Sequence, residues 1–260
     1  MPMNRDKVEV TFLGTGTSQG VPVIGCTCAV CISTNLKDNR LRSSVHIQTK
    51  DASFVIDSGP DFRQQMLRSG INKLDALVYT HSHKDHTAGF DDIRAYNYIQ
   101  KKDMIVYADK DVDRVLRKDF DYAFIPNSYP GIPKADIRII TNKEFQINQT
   151  RIIPIQVFHY RMPVFGFRIG DFTYITDANS ISESEIEKIR GSKAVVLNAL
   201  RREPHISHFT LEEAINMAQL IGAEKTYFTH ISHQLGRHED VIKELPSFAE
   251  LAYDGLQIIV

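Results

Sequence analysis

A mixed α/β domain, with two sheets packed face to face and helices outside, is the fold this sequence predicts. Three observations predict it. Strand-like runs come in adjacent sets, with helical periodicity between the sets. One run, Ala76-Leu77-Val78-Tyr79, is apolar at every position, as a strand covered on both faces must be. No low-complexity tract, long Gly/Ser linker or internal repeat divides the chain, so residues 1–260 are expected to form one domain.

The elements follow in order. Residues 8–13 alternate and end at Gly14. Residues 44–49 and Ser53–Ile56 form a pair joined by Lys50-Asp51. Further strands are expected over 75–79, 104–107, 137–140, 151–158, 164–169, 172–176, 194–197, 225–228 and 256–260. Helices are expected over 61–68, after Pro60 and before Gly70, and over 92–100, 112–118 and Glu183–Ile189. The clearest covers 210–221. Thr210 and Glu213 make a capping box, and Leu211, Ala214, Ile215, Ala218 and Ile221 form one apolar stripe. Residues 119–134 combine Phe120, Tyr122, Phe124 and Tyr129 with Pro126, Pro130 and Pro133. They read as an ordered surface loop, either a lid or a packed loop without function.

Composition excludes several classes. At 260 residues and 42% hydrophobic, the chain can build a core without disulfide staples. Lys+Arg 31 against Asp+Glu 32 rules out a basic nucleic-acid footprint over the whole chain, though not a local patch. No apolar stretch is long enough to span a membrane, and the start Met1-Pro2-Met3-Asn4-Arg5-Asp6-Lys7 carries no secretory pattern, so the cytoplasm is expected. Three cysteines crowd into Cys26-Thr27-Cys28-Ala29-Val30-Cys31. That spacing suits a metal clip rather than a disulfide framework. Gly14-Thr15-Gly16-Thr17-Ser18-Gln19-Gly20 is not a dinucleotide fingerprint, because its last glycine falls one place late and no clear helix follows. No Gly-Lys-Ser/Thr loop and no Gly-x-Ser-x-Gly elbow occurs.

The strongest chemical signal is His81-Ser82-His83-Lys84-Asp85-His86, directly after the buried strand. Four ligand-type side chains within six residues cannot all reach one ion from a regular element. A loop at a strand end can divide them, His81 and His83 toward one metal and Asp85 and His86 toward another. His159, Asp177 and His230 each follow a strand-like run, so they can converge on the same edge.

The His81-x-His83-x-Asp85-His86 motif, with His159, Asp177 and His230, resembles the metallo-β-lactamase superfamily over nearly the whole chain. The opening Gly14 to Ser18, the Cys26-x-Cys28-x-x-Cys31 clip and Thr229-His230-Ile231-Ser232-His233 narrow the resemblance to the PhnP-type phosphoribosyl cyclic phosphate phosphodiesterase branch. The resemblance implies a four-layer αββα sandwich with two metal ions, zinc, manganese or iron, at one edge. It implies His81, His83 and His159 on the first ion, Asp85, His86 and His230 on the second, and Asp177 bridging. Such a pair shares a water and lowers its pKa, yielding a bridging hydroxide that attacks phosphorus.

Asp85 and His208 are the catalytic candidates. His208 matches the general-acid position of the resembled phosphodiesterase, with His205 as the alternative. Asp57 is expected to orient a ligating histidine from behind. Cys26, Cys28, Cys31 and His233 are expected to close one structural zinc site.

The expected activity is a dinuclear metal-dependent phosphodiesterase acting on a small phosphate ester, cyclic esters included. The alternatives are a tRNA 3′-processing nuclease, a thioester or lactam hydrolase of the same superfamily, and a non-catalytic metal-binding scaffold. The expected partner is a small phosphate ester, with no nucleic acid and no membrane; a homodimer is left open. Where the resembled enzyme has Asp-Cys-Ser, this chain has Asn198 and, just beyond, Arg201 and Arg202, which either grip phosphate or are surface charge.

Overall fold

A computed structural model describes residues 7–125 and 129–260. The Met1–Asp6 start and Pro126 of the 119–134 segment lie outside them. In chain order the first half comprises β1 (Glu9–Gly14), β2 (Ser44–Gln48), β3 (Ser53–Ile56), α1 (Phe62–Ser69), β4 (Ala76–Val78), α2 (Lys84–Thr87), α3 (Arg94–Gln100), β5 (Met104–Ala108), α4 (Lys110–Asp119) and β6 (Ala135–Ile139). The second half comprises β7 (Phe145–Ile147), β8 (Thr150–His159), β9 (Met162–Ile169), β10 (Phe172–Tyr174), β11 (Ser180–Ile181), α5 (Glu183–Ile189) and β12 (Ala194–Asn198). It continues through α6 (Leu211–Ile221), β13 (Lys225–Thr229), α7 (His238–Val241), β14 (Ala249–Leu251) and β15 (Gln257–Ile259).

Two sheets result. One runs β15-β1-β2-β3-β4-β5-β6; the other runs β11-β8-β9-β10-β12-β13-β14, with β7 on β8. The strand sequences explain the layering. In β3, Phe54 and Ile56 face the core between the sheets, while Val55 faces a second core under α1, α3 and α4. In β12, Ala194 and Val196 enter the same central core, and Val195 and Leu197 pack under α5 and α6. Strands apolar at every position are therefore sandwiched twice, and the architecture is the four-layer αββα sandwich. Each fully buried Val, Leu, Ile or Phe contributes about 1.5–3 kcal/mol.

The helix over 211–221 carries the Thr210–Glu213 capping box and ends at Gly222 in the left-handed region. β7, β11, β14, α2 and α7 have no counterpart in the sequence reading; each is four residues or shorter, too short for periodicity to register. In the 119–134 segment, Phe120 and Phe124 stack against Phe90 at 5.1 and 6.1 Å between ring centroids. Arg117 covers Phe124, so this half of the loop is packed. Among the described residues no helix is long and apolar enough to cross a membrane.

Burial of His46 is expected to make folding pH-dependent. His46 on β2 lies against the Ser53 hydroxyl at 2.9 Å, and burial pushes its pKa down to about 4. The unfolded chain binds this proton first, near pH 6.5, so stability falls as pH drops from about 6.5 toward 4. The contribution is about 3 kcal/mol. His46→Gln is expected to flatten that part of the urea-midpoint profile. Equal slopes for both proteins between pH 7 and 4.5 would remove His46 as the cause.

Candidate active site

The donors gather because strand ends gather. β3 and β4 are parallel, so Asp57 and Thr80-His81 leave the first sheet side by side. In the second sheet β8 is antiparallel to β9 and β9 to β10, which restores the original direction. β12 and β13 run parallel to β10. His159, Asp177, Asn198 and His230 therefore reach one edge, at the carboxyl ends where such sheets bind ligands. The Phe165 amide donates to the Thr80 carbonyl at 3.0 Å, joining the two sheets behind the cluster.

Three of these residues have left-handed backbone: Asp57 (φ 66°), Asp177 (φ 57°) and His230 (φ 55°). This conformation costs about 1–3 kcal/mol at a non-glycine residue and persists only where the surroundings impose it. Here it breaks the strand's alternation and redirects each side chain into the crevice. Asn198 imposes it at Asp177, accepting from the Ala178 amide at 2.7 Å and donating to the Ala178 carbonyl at 2.9 Å. The Asp57 amide donates to Val78, and the Ile231 amide donates to Thr15, both at 2.9 Å.

The His81–His86 run is a loop that becomes one helical turn. His83 has extended backbone and starts α2, which carries Asp85 and His86. Behind it stands Asp57. His86 donates through Nδ1 to Asp57 at 2.7 Å, and the Thr80 hydroxyl donates to the same carboxylate at 2.8 Å. His81 Nδ1 lies 2.9 Å from that hydroxyl, which is left to accept. One buried carboxylate thus fixes two ring orientations, directly and through Thr80, and both rings turn Nε2 toward the crevice.

Four donors converge there. His86 Nε2 is 3.1 Å from Asp85 and 3.3 Å from Asp177; His230 Nε2 is 3.2 Å from Asp177. The ligand atoms of Asp85, His86, Asp177 and His230 all lie within 4.8 Å of one another. On the other side the rings of His81, His83 and His159 meet at 4.7, 5.1 and 5.8 Å between centroids. The compact donor trio on that side is His159, Asp177 and His208, without His81 and His83. His208, expected only as a proton donor, is drawn in by Asp177 Oδ1 at 3.1 Å and stacks on His230 at 4.9 Å. His159 is held through Nδ1 by the Ser207 carbonyl at 2.9 Å, and His205 touches His208 Nδ1 to Nδ1 at 3.0 Å.

Burial alone would raise the Asp177 carboxyl, but His230 and His86 hold it well below the usual range; Asp85 is likewise lowered against burial, chiefly by His86. Burial pushes His81 and His159 down, and His230 down to about 4, so these rings are neutral donors. His86 departs in the other direction. Burial lowers it, but Asp177, Asp57 and Asp85 outweigh burial and raise it. Three carboxylates around one imidazole call for positive charge. The buried Nε2 of His81 has no hydrogen-bond partner, and such an orphan costs about 1–3 kcal/mol. Divalent cations would satisfy both the charge and the lone pairs, so these residues fit them.

The cysteine clip is also assembled. The sulfurs of Cys26, Cys28 and Cys31 lie 3.3, 3.4 and 3.5 Å from His233 Nδ1, with no disulfide among them. The Cys31 backbone amide lowers the Cys28 thiol to about 6. Three sulfurs and one imidazole nitrogen suit a closed zinc site.

Arg202 pairs with Glu244 through both terminal nitrogens, at 2.8 and 2.9 Å, and Arg201 bonds the Glu203 and Pro204 carbonyls and Gln234. Both make surface contacts of the kind the surface-charge alternative expects. Sequence reasoning missed Thr80, Asn198's hold on Ala178, and Ser43 and Thr17, which flank His230 at 3.2 and 3.3 Å. Only Thr80, adjacent to the motif, offered any signal.

Close packing holds α2 in place. A Cβ on Gly59 would stand 2.0 Å from the Asp85 carbonyl oxygen. Gly59→Ala is expected to destabilise the fold by about 1–3 kcal/mol and to lower activity by pushing Asp85 and His86 outward. An unchanged denaturation midpoint with full activity would contradict that contact.

The fold and this edge define a class, and the comparisons agree. A family model described as the β-lactamase superfamily domain matches residues 53–231, and the chain belongs to that superfamily. Within it the chain is PhnP-like. It is 40% identical to a crystal structure described as a new diphosphatase from the PhnP family, with TM-score 0.92, over 98% of this chain and 97% of the other. A protein of Porphyromonas gingivalis named octanoyltransferase is 38% identical over 96% of this chain, which spans about half (51%) of that protein's length. Zinc-bound PqqB of Methylobacterium extorquens, 18% identical with TM-score 0.76 over 96% of this chain and 99% of the other, shares the fold.

Proposed function

We propose that the chain hydrolyses a small phosphate ester, a phosphodiester or a diphosphate, at the edge where the two donor groups meet. Asp177 carries this reading. Its Oδ1 faces His230 and His208 and its Oδ2 faces His86, so one carboxylate belongs to both groups. The similarity to a PhnP-family diphosphatase supports phosphorus as the electrophile.

Held by His81, His83 and His159 on one side, by Asp85, His86 and His230 on the other, and by Asp177 between, two zinc, manganese or iron ions would activate water and neutralise phosphate charge. The chain's own residues orient and protonate. Asp57 and Thr80 lock the His86 and His81 rings. His208 keeps Nδ1 against Ser207 and His205, at 3.1 and 3.0 Å, and directs Nε2 into the crevice, where it serves as proton donor to the departing oxygen. The clip and His233 would hold a structural zinc, tying residues 26–31 to the segment bearing His230.

A second reading, hydrolysis of an acyl ester or thioester, is favoured by the octanoyltransferase relative, although half of that protein has no counterpart here. Elemental analysis combined with a metal-dependent substrate panel separates the two. The expected result is about three metals per chain, one of them zinc, and turnover of aryl phosphodiesters or dinucleoside diphosphates but not of octanoyl thioesters. Fully metallated protein inert toward every phosphorus ester would overturn the proposal.

A further inference from the structure

Helix α3 separates two open pockets away from the histidine cluster. The first, about 750 Å³, lies between α3 and residues 130–134 and is lined by Arg63, Arg94, Lys101, Lys102 and Lys134, against only Asp92 and Asp103. In a chain of net charge −1 this concentrates positive charge locally. Arg94 and Lys102 are engaged by Asp91 and Asp75, at 3.2 and 3.7 Å. Among the described residues Arg63, Lys101 and Lys134 form no salt bridge, though Lys101 lies over the Tyr98 ring, 4.1 Å from its centroid, and Arg63 acts on the Asp92 carboxyl. The wall is pre-organised. Asn97 donates to the Lys102 and Lys134 carbonyls at 3.0 and 2.9 Å and accepts from the Lys134 amide at 2.9 Å.

The second pocket, about 340 Å³, lies between α1 and α3 and is mainly apolar, formed by Phe62, Met66, Leu67, Ile71, Tyr96 and Ile99. Leu67 and Ile99 remain 65% and 63% exposed, although both border it. The two pockets share Arg63, Asp92 and Ala95 as lining. The cationic basin and the aliphatic groove therefore meet at Arg63, Asp92 and Ala95, beside the start of α3.

We propose that this joined cleft binds a single-chain anionic amphiphile, with a phosphate head among Arg63, Lys101 and Lys134 and an alkyl or acyl chain between α1 and α3. Charge complementarity selects the head, and the exposed Leu67 and Ile99 select the tail. A purely polar anion would leave the groove wet, and a neutral chain would bring no counter-charge to a basin with more cations than carboxylates.

The test is calorimetric titration of the metallated protein with butyl, hexyl and octyl phosphate, with inorganic phosphate and octyl glucoside as controls. Affinity should rise about two- to fourfold per methylene, the upper value corresponding to full burial of each. Both controls should bind at least tenfold more weakly than octyl phosphate. Ile99→Gln, and Leu67→Gln as a second exposed site, should flatten the chain-length dependence. Arg63→Gln should weaken all three esters together. No variant should change turnover of a phosphodiester.

Affinity independent of chain length, or chain-length dependence unaffected by Ile99→Gln, Leu67→Gln and Arg63→Gln, would place binding elsewhere and overturn the proposal. Binding to anionic phospholipid vesicles without binding to monomeric octyl phosphate would also overturn it, assigning the patch to a membrane surface instead.

Discussion

Asp177→Asn is expected to lower kcat/KM toward an aryl phosphodiester by on the order of 10³-fold while leaving the fold intact. The amide keeps the side chain's size and can still accept from the Thr176 hydroxyl, which the native carboxylate does at 2.6 Å. It loses the charge that His86 and His230 face, and one of the two oxygens through which the carboxylate meets His86 on one side and His230 and His208 on the other. Elemental analysis should show fewer ions per chain, with the denaturation midpoint of the metal-free protein changed little. Near-native turnover in this variant would mean that the shared carboxylate is not the centre of the chemistry.

His208→Ala should separate proton donation from metal binding. A general acid contributes about 10²–10⁴-fold, but only where the departing oxygen needs a proton. The loss should be large for an alkyl leaving group and slight for p-nitrophenolate, which leaves readily as an anion. The compact trio of His159, Asp177 and His208 admits another role, as a ligand. Equal losses on both substrates with a fall in metal content would assign that role to His208 and exclude the acid. His205→Ala, which removes only the neighbour of Nδ1, should cost about tenfold or less.

Much of this was legible in the sequence because the information was local. His81 to His86 are contiguous, and His159, Asp177 and His230 each sit just past an apolar strand. The layering was legible because Phe54-Val55-Ile56 and Ala194-Val195-Val196-Leu197 leave no polar face. Contacts between distant residues were not legible. Ser43 and His230 meet across 187 positions, and a lone serine carries no signature of that contact. The left-handed backbone at Asp57, Asp177 and His230 was equally hidden, since aspartate and histidine are ordinary at strand ends. His208's place against Asp177 depends on the loop of residues 199–207, whose path no periodicity predicts. The role of Asn198 was hidden by its apparent departure from the resembled pattern, yet its side chain holds the Ala178 peptide next to Asp177.

The donors are divided between the halves of the molecule. Asp57 and the His81–His86 run come from the first sheet; His159, Asp177 and His230 come from the second. Neither half possesses a usable set alone. During synthesis a ribosome-bound chain stays inert until His230 has emerged and the second sheet has closed on the first. Assembly of the donor set therefore requires both sheets to be formed and packed together.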